Sequence, residues 1–175
     1  MYINQDELQR YTVSVLVDNE PGVLSRVSGL FSRRGFNIDS LAVGTTQDPE
    51  LSRITIVVKG DEAKIEQLVQ QLYKLICVQK VQVLKPRNSV GRQLLLVKVK
   101  ADVQEREGLM RLVDIFKAKV LDVTRNSMTL QITGENDKIA SMLSLLQDYG
   151  VTELVRTGVV ALERGDDVMS SDIFE

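Results

Sequence analysis

The succession of hydrophobic periods constrains this chain more than any other feature. A period of two gives way to 3.6 and back, and the whole succession occurs twice. Tyr11-Thr12-Val13-Ser14-Val15-Leu16-Val17 alternates and is rich in β-branched residues, which predicts a strand. Val23, Leu24, Val27, Leu30 and Phe31 are then spaced for one face of a helix. Pro21 suits its first turn, and Gly35 after Arg33-Arg34 suits its C-terminal stop. Residues 38–43 and 53–58 predict two strands joined by a loop containing Gln47-Asp48-Pro49. Asp61 is placed to cap a second helix with apolar positions Ile65, Leu68, Val69, Leu72 and Ile76, and residues 78–84 supply a last strand. The order βαββαβ is the ferredoxin-like split unit.

Lys85-Pro86-Arg87-Asn88-Ser89-Val90-Gly91-Arg92 is polar and without periodicity, which predicts a linker at 86–92 between a domain at 10–85 and one at 93–165. In the second, a strand at 94–99 precedes a helix with Leu109, Leu112, Val113 and Phe116 on one face. Strands at 120–123 and 128–132 follow, with a tight turn at Arg125-Asn126. A second Asp/Glu-capped helix carries Ile139, Met142, Leu143 and Leu146, and a strand closes the unit from 151 to 162. Gly60-Asp61-Glu62-Ala63-Lys64-Ile65 aligns with Gly134-Glu135-Asn136-Asp137-Lys138-Ile139, and Leu72 then falls on Leu146. Chance likeness of two capped helices competes with duplication, and the repeated element order favours duplication. The expected fold class is therefore α+β, two tandem ferredoxin-like domains, with residues 166–175 as a solvated, flexible tail. A four-stranded sheet with helices on one face leaves the other needing cover. Neither the Thr12/Ser14/Leu16 set nor the Tyr11/Val13/Val15/Val17 set is polar throughout, which predicts association, a homodimer.

Composition removes most chemistry. The chain has 175 residues, 43% hydrophobic and 26% charged, with no His and a single Cys, Cys77. His-based acid–base work, Cys–His nucleophiles and almost every transition-metal site are thereby lost. A net charge of −2 argues against a nucleic-acid footprint, and no apolar run approaches a membrane span. Residues 1–7 resemble neither a signal nor a transit peptide, and a lone cysteine fits a reducing compartment. A cytoplasmic location is expected, or an organelle stroma if the protein is made there. Cys77, between Leu75-Ile76 and Val78, reads as an inert thiol in or near the core.

Asp18-Asn19-Glu20-Pro21-Gly22-Val23 then places a tight polar turn at a helix N-terminus. The plain reading is a turn and a helix start. Three details favour a site. Gly22 lets a ligand approach backbone amides, Asn19 offers donor and acceptor, and Asn37 begins the next strand just past Gly35. Asp18 and Glu20 would repel a phosphate dianion, whereas a zwitterion can set its carboxylate on the amides and its ammonium on an acidic or amide oxygen. An α-amino acid is the natural candidate, with Leu16 and Val23 against an aliphatic side chain. Arg33-Arg34 more often serve the helix dipole than clamp an anion. The helix of the second half opens with Gln104-Glu105-Arg106-Glu107-Gly108 and has no Pro-Gly turn, so the expected site lies in the first half. An acylphosphatase-like hydrolase would need a basic cradle in place of these acids. An RNA-binding module of this topology would need a basic surplus and exposed aromatics, and there are only four Phe, four Tyr and no Trp.

The stretches Asn19–Val27, Gly29–Ile38 and Leu51–Ile56, followed by Asp122-Val123-Thr124 and Arg156–Leu162, resemble the small regulatory subunit of acetolactate synthase (acetohydroxyacid synthase), an ACT-domain family. The turn alone marks ACT-type amino-acid sensors in general, and another such regulator of a different enzyme is the alternative. The later segments are the more specific. The resemblance implies a non-catalytic subunit that dimerises through its N-terminal ACT domain. It implies valine at the dimer interface, activation of a separate catalytic large subunit, and feedback inhibition by valine in branched-chain amino-acid synthesis. Asn19, Gly22 and Asn37 match the family's effector positions, with Glu20, Pro21 and Val23 supplying neighbouring backbone. Pro21 stands where many such sequences carry a small polar residue, which stiffens the turn. Thiamine diphosphate, Mg2+ and FAD are implied for the catalytic subunit, with no cofactor or metal on this chain, and no nucleic-acid or membrane partner.

Overall fold

The computed structural model describes residues 9–169. They form two bodies, the first from residues up to Val90 together with the segment from Val159, the second Gly91–Gly158.

In the first body, β1 (Gln9–Asp18), α1 (Val23–Arg33), β2 (Ile38–Thr45), β3 (Leu51–Gly60), α2 (Glu62–Leu72) and β4 (Val78–Leu84) follow one another, and the antiparallel sheet has the order β2-β3-β1-β4. Alternation sends Val13, Val15 and Val17 of β1 and Ile54, Ile56 and Val58 of β3 to the helix-covered face, where Val27, Phe31, Leu68 and Leu72 bury against them. Helix α1 stops as a Schellman motif. Gly35, at φ +71, donates its amide to Ser32 O (3.2 Å), Phe36 donates to Phe31 O (3.0 Å), and the two phenyl rings meet edge to face at 6.1 Å. Asp61 caps α2, accepting Lys64 N at 2.8 Å.

Several expectations change. The stretch 86–92, expected as a linker without structure, is a 3-10 turn at Pro86–Asn88 followed by a strand that already begins at Ser89. Helix α1 begins at Val23, so Pro21 precedes it and belongs to the turn. Helix α2 ends at Leu72, and the following loop gives the core position to Cys77 (3% exposed) while Ile76 stands 96% exposed. The strand expected over 151–162 divides into β8 (Val151–Arg156) and β9 (Val160–Glu163), because Gly158 at φ +80 turns the chain between them.

The second body repeats the first with β5 (Ser89–Lys100), α3 (Arg106–Phe116), β6 (Lys119–Val123), β7 (Ser127–Gly134), α4 (Asn136–Leu146) and β8, in the sheet order β6-β7-β5-β8. Its core gathers Leu95, Val97, Val99, Leu109, Leu130, Ile132, Ile139, Met142 and Leu146. The duplication extends to defects. The β1–β4 register breaks between Leu16 and Val17, and the β5–β8 register breaks between Lys98 and Val99. Asp18 N then donates to Cys77 O, as Lys100 N does to Gly150 O, both at 3.0 Å. Glu135 sits at the N-cap position of α4 without capping it, because its carboxylate pairs with Arg92 instead, at 2.9 Å.

The outer face of the first sheet carries Ser14 and Leu16, both buried, and Thr55. The segment after Gly158 lies along this face. Val159 N donates to Ser40 Oγ (3.0 Å), Glu163 accepts from Gln82 and from Asn88 (3.2 Å), Arg164 N donates to Asn88 O (2.8 Å), and Ser14 Oγ donates to the sulfur of buried Met169 (3.4 Å). Arg53, opposite Leu16, shares the face, and its burial lowers its pKa below the ordinary arginine value. The cover that the sequence led us to expect from a second molecule is thus supplied in part by the chain itself. A second domain reaching 165, with a tail from 166, differs from this partition for the same reason: residues 159–169 pack on the first body. Asp166 and Asp167 are exposed, and Ser170, Ser171 and Asp172 lie outside the described residues, as do residues 1–8.

Candidate functional site

Strand β1 ends at Asp18 because its last ladder partner is Leu51, the first residue of β3. Asn19 N reaches Glu50 O (2.7 Å), and the chain then leaves the sheet toward α1. Gly22 takes the N-cap position at φ +84, a left-handed conformation in which an L side chain is strained, whereas N-cap residues usually lie in the β region. No side chain caps the helix. Gly22 O accepts Arg26 N at 3.1 Å, and Val23 N leans on Glu20 O at 3.4 Å, so the opening amides of α1 are held weakly or await an acceptor. A Cβ at Gly22 would meet nothing within 4 Å, which leaves the approach to these amides open.

Asn19 is already at work. Its Nδ2 donates to Pro49 O (2.9 Å) and its Oδ1 accepts from Ser52 Oγ (3.1 Å), which pins the β2–β3 loop against the turn. A carboxamide has two N–H donors and two lone pairs, so one of each remains. The loop is braced internally, with Glu50 N on Asp48 Oδ1 (2.9 Å) and Leu51 N on Asp48 O (3.1 Å). Asp18 accepts from Gln79 Nε2 at 2.6 Å, so this acid faces β4, and Glu20, Pro21 and Gly22 are exposed. Val23 is buried in the helix-side core, which leaves its backbone as its contribution to the turn.

Asn37 stands elsewhere in the protomer. It immediately precedes β2, whose first residue Ile38 pairs with Val58, whereas the turn lies beside Leu51. Seven residue steps along β3 separate these levels, about 23 Å at the usual rise per residue. Asn37 lines a groove of about 960 Å³ with Arg34, Lys59, Lys64, Gln67 and Gln71, residues that sequence reading did not gather because they come from the turn after α1, from β3 and from α2. One protomer therefore does not bring Asn19 and Gly22 together with Asn37.

The second body shows what the scaffold alone requires. By register Ala101 occupies the place of Asn19, and its amide makes the equivalent bond to Asn126 O (3.0 Å). Glu105, right-handed, stands at the N-cap where Gly22 is left-handed, and Lys119 follows the end of α3 as Asn37 follows α1. Asp102 Oδ1 accepts both Gln104 N and Glu105 N at 2.9 Å, so the chain supplies its own carboxylate there. Among the described residues no three His, Cys, Asp or Glu side chains gather to hold a metal, and no helix is long and apolar enough to cross a membrane.

Comparisons with known proteins agree along the length of the chain. The family model described as the AHAS small subunit-like ACT domain matches residues 13–80, and that described as the small subunit of acetolactate synthase matches 92–165. A probable acetolactate synthase small subunit of Archaeoglobus fulgidus is 48% identical over 90% of this chain and 98% of its own. The acetolactate synthase small subunit of Mycolicibacterium smegmatis is 48% identical over 89% and 91%. The crystal structure of the acetolactate synthase small subunit from Thermotoga maritima superposes with a TM-score of 0.85 at 43% identity, covering 91% of this chain and 99% of that one.

Proposed function

This chain belongs to the acetolactate synthase small-subunit family, and from that premise we propose that it activates a catalytic large subunit and makes that enzyme sensitive to valine. Valine, as feedback inhibitor of branched-chain amino-acid synthesis, is the effector. The carrying observation is the uncapped, left-handed Gly22 start of α1, present in the first body and replaced in the second by the self-supplied Asp102 carboxylate. The valine carboxylate takes the amides of Gly22 and Val23. Its ammonium takes the free lone pair of Asn19, with Glu20 lowering the local potential, and Pro21 fixes the turn.

Asn37 completes the site from a second copy. Strand β2 is one of the two edge strands of the first sheet, and an edge strand can pair with its own copy about a two-fold axis. Antiparallel pairing of β2 with β2 places the start of one strand beside the end of the other. The partner copy's start of β2 thereby comes to the 46–50 loop that Asn19 holds. The homodimer then has two composite sites, and valine bridges protomers. Thiamine diphosphate, Mg2+ and FAD belong to the catalytic subunit. By linkage, binding of that subunit changes valine affinity by the factor with which valine changes its binding.

Calorimetric titration of valine into the purified protein tests the site. Binding is expected to vanish in Gly22→Asp, which adds strain and a carboxylate, and to weaken in Asn37→Ala. Unchanged binding in both variants would refute the assignment.

A further inference from the structure

Ser52 breaks the pattern of its strand. The helix-side positions of β3 are Ile54, Ile56 and Val58, all fully buried, and two residues before Ile54 the same face carries Ser52, 7% exposed. A hydroxyl removed from water is costly unless it is bonded. Among the described residues the one side-chain bond of Ser52 runs from its Oγ to Asn19 Oδ1, at 3.1 Å.

The second body shows what the scaffold places at these two positions otherwise. Val99 pairs with Met128 as Val17 pairs with Ser52, so Met128 stands in the place of Ser52, just as Ala101 stands in that of Asn19. Met128 (2% exposed) and Ala101 (0%) both belong to the apolar core of that body. The first body thus exchanges two apolar side chains for a hydroxyl and a carboxamide that bond to each other. Packing does not account for that exchange.

The geometry also fixes which way round the carboxamide lies. Pro49 O can only accept, so the atom 2.9 Å from it is Nδ2, and the oxygen faces Ser52, whose hydroxyl donates. With both ends held, the remaining N–H and the remaining lone pair of Asn19 keep fixed directions at the turn leading to Gly22.

We propose that Ser52 is a positioning residue of the valine site, its hydroxyl orienting Asn19 so that the free lone pair of Oδ1 meets the α-ammonium group. This rests on the valine assignment made above. Without the hydroxyl, the carboxamide keeps only its bond to Pro49 and pivots about it, so the ligand must order Asn19 on binding and loses affinity.

Valine calorimetry on the full chain provides the test, with Ser52→Ala and the pair Ser52→Thr and Ser52→Val, which have one shape and differ in the hydroxyl. Affinity is expected to fall about tenfold in Ser52→Ala and in Ser52→Val, the equivalent of one lost orienting hydrogen bond, and to stay near the parent value in Ser52→Thr. Chemical denaturation separates positioning from stability: Ser52→Val should be at least as stable as Ser52→Ala, since the position faces the core, yet bind valine no better. Parent-like affinity in Ser52→Ala, or equal affinity in the Thr and Val variants, would overturn the proposal while leaving the valine site standing. A parent protein that does not bind valine would overturn the valine assignment, and this proposal with it.

Discussion

Single backbone angles separate the two halves of this molecule at the residue scale. Gly22 and Lys117 both sit at positive φ, one as a glycine and one as a side chain that must bear the strain. Gly22→Ala meets open space, so its cost is the backbone alone, about 1–2 kcal/mol by chemical denaturation. Lys117→Gly relieves the same strain and should stabilise the protein by about 1 kcal/mol in the same measurement. Asn19→Ala removes bonds to Pro49 and Ser52 and should cost about 1–2 kcal/mol, with faster hydrogen exchange in the 46–50 loop. Gly22 and Asn19 were legible as parts of one turn because a Pro-Gly pair before an amphipathic run marks a helix start. That Asn19 spends half its hydrogen-bonding capacity on the neighbouring loop was not, since no sequence period links residues 19 and 49.

Every main strand and helix was legible in its period, and the misreadings fall where elements end. Ile76 continues the apolar spacing of α2, yet the helix stops at Leu72 and Cys77 enters the core instead. Spacing cannot report where a loop takes over from a turn of helix. The division of the last strand at Gly158 was hidden for a related reason, since Val159-Val160-Ala161-Leu162 keeps a strand-like composition after leaving the second sheet. That segment clasps the outer face of the first sheet. Met169→Ala deletes its buried anchor and should cost about 2 kcal/mol, with faster exchange of the Val159 and Arg164 amides, which hydrogen-bond to Ser40 and Asn88. Unchanged exchange at both amides would show that Met169 does not hold the segment in place.

For the whole molecule, duplication followed by divergence is the organising fact. The two bodies share strand order and even the position of a register break, whereas the left-handed helix start and the Asn19 clamp occur in the first body and have other residues in their places in the second. Fold class could be read from repeated periods, and a single Pro-Gly turn is what puts the proposed site in the first half. The distance between Asn19 and Asn37 could not, because it follows from strand length and pairing, and it is what makes a second copy necessary to the proposed site. The central claim is tested most directly by mixing the chain with a catalytic large subunit of acetolactate synthase and following acetolactate formation with and without valine. Activation that valine reverses, with Gly22→Asp activating normally but insensitive to valine, is the predicted result. No activation, or the same valine response in Gly22→Asp, would contradict it.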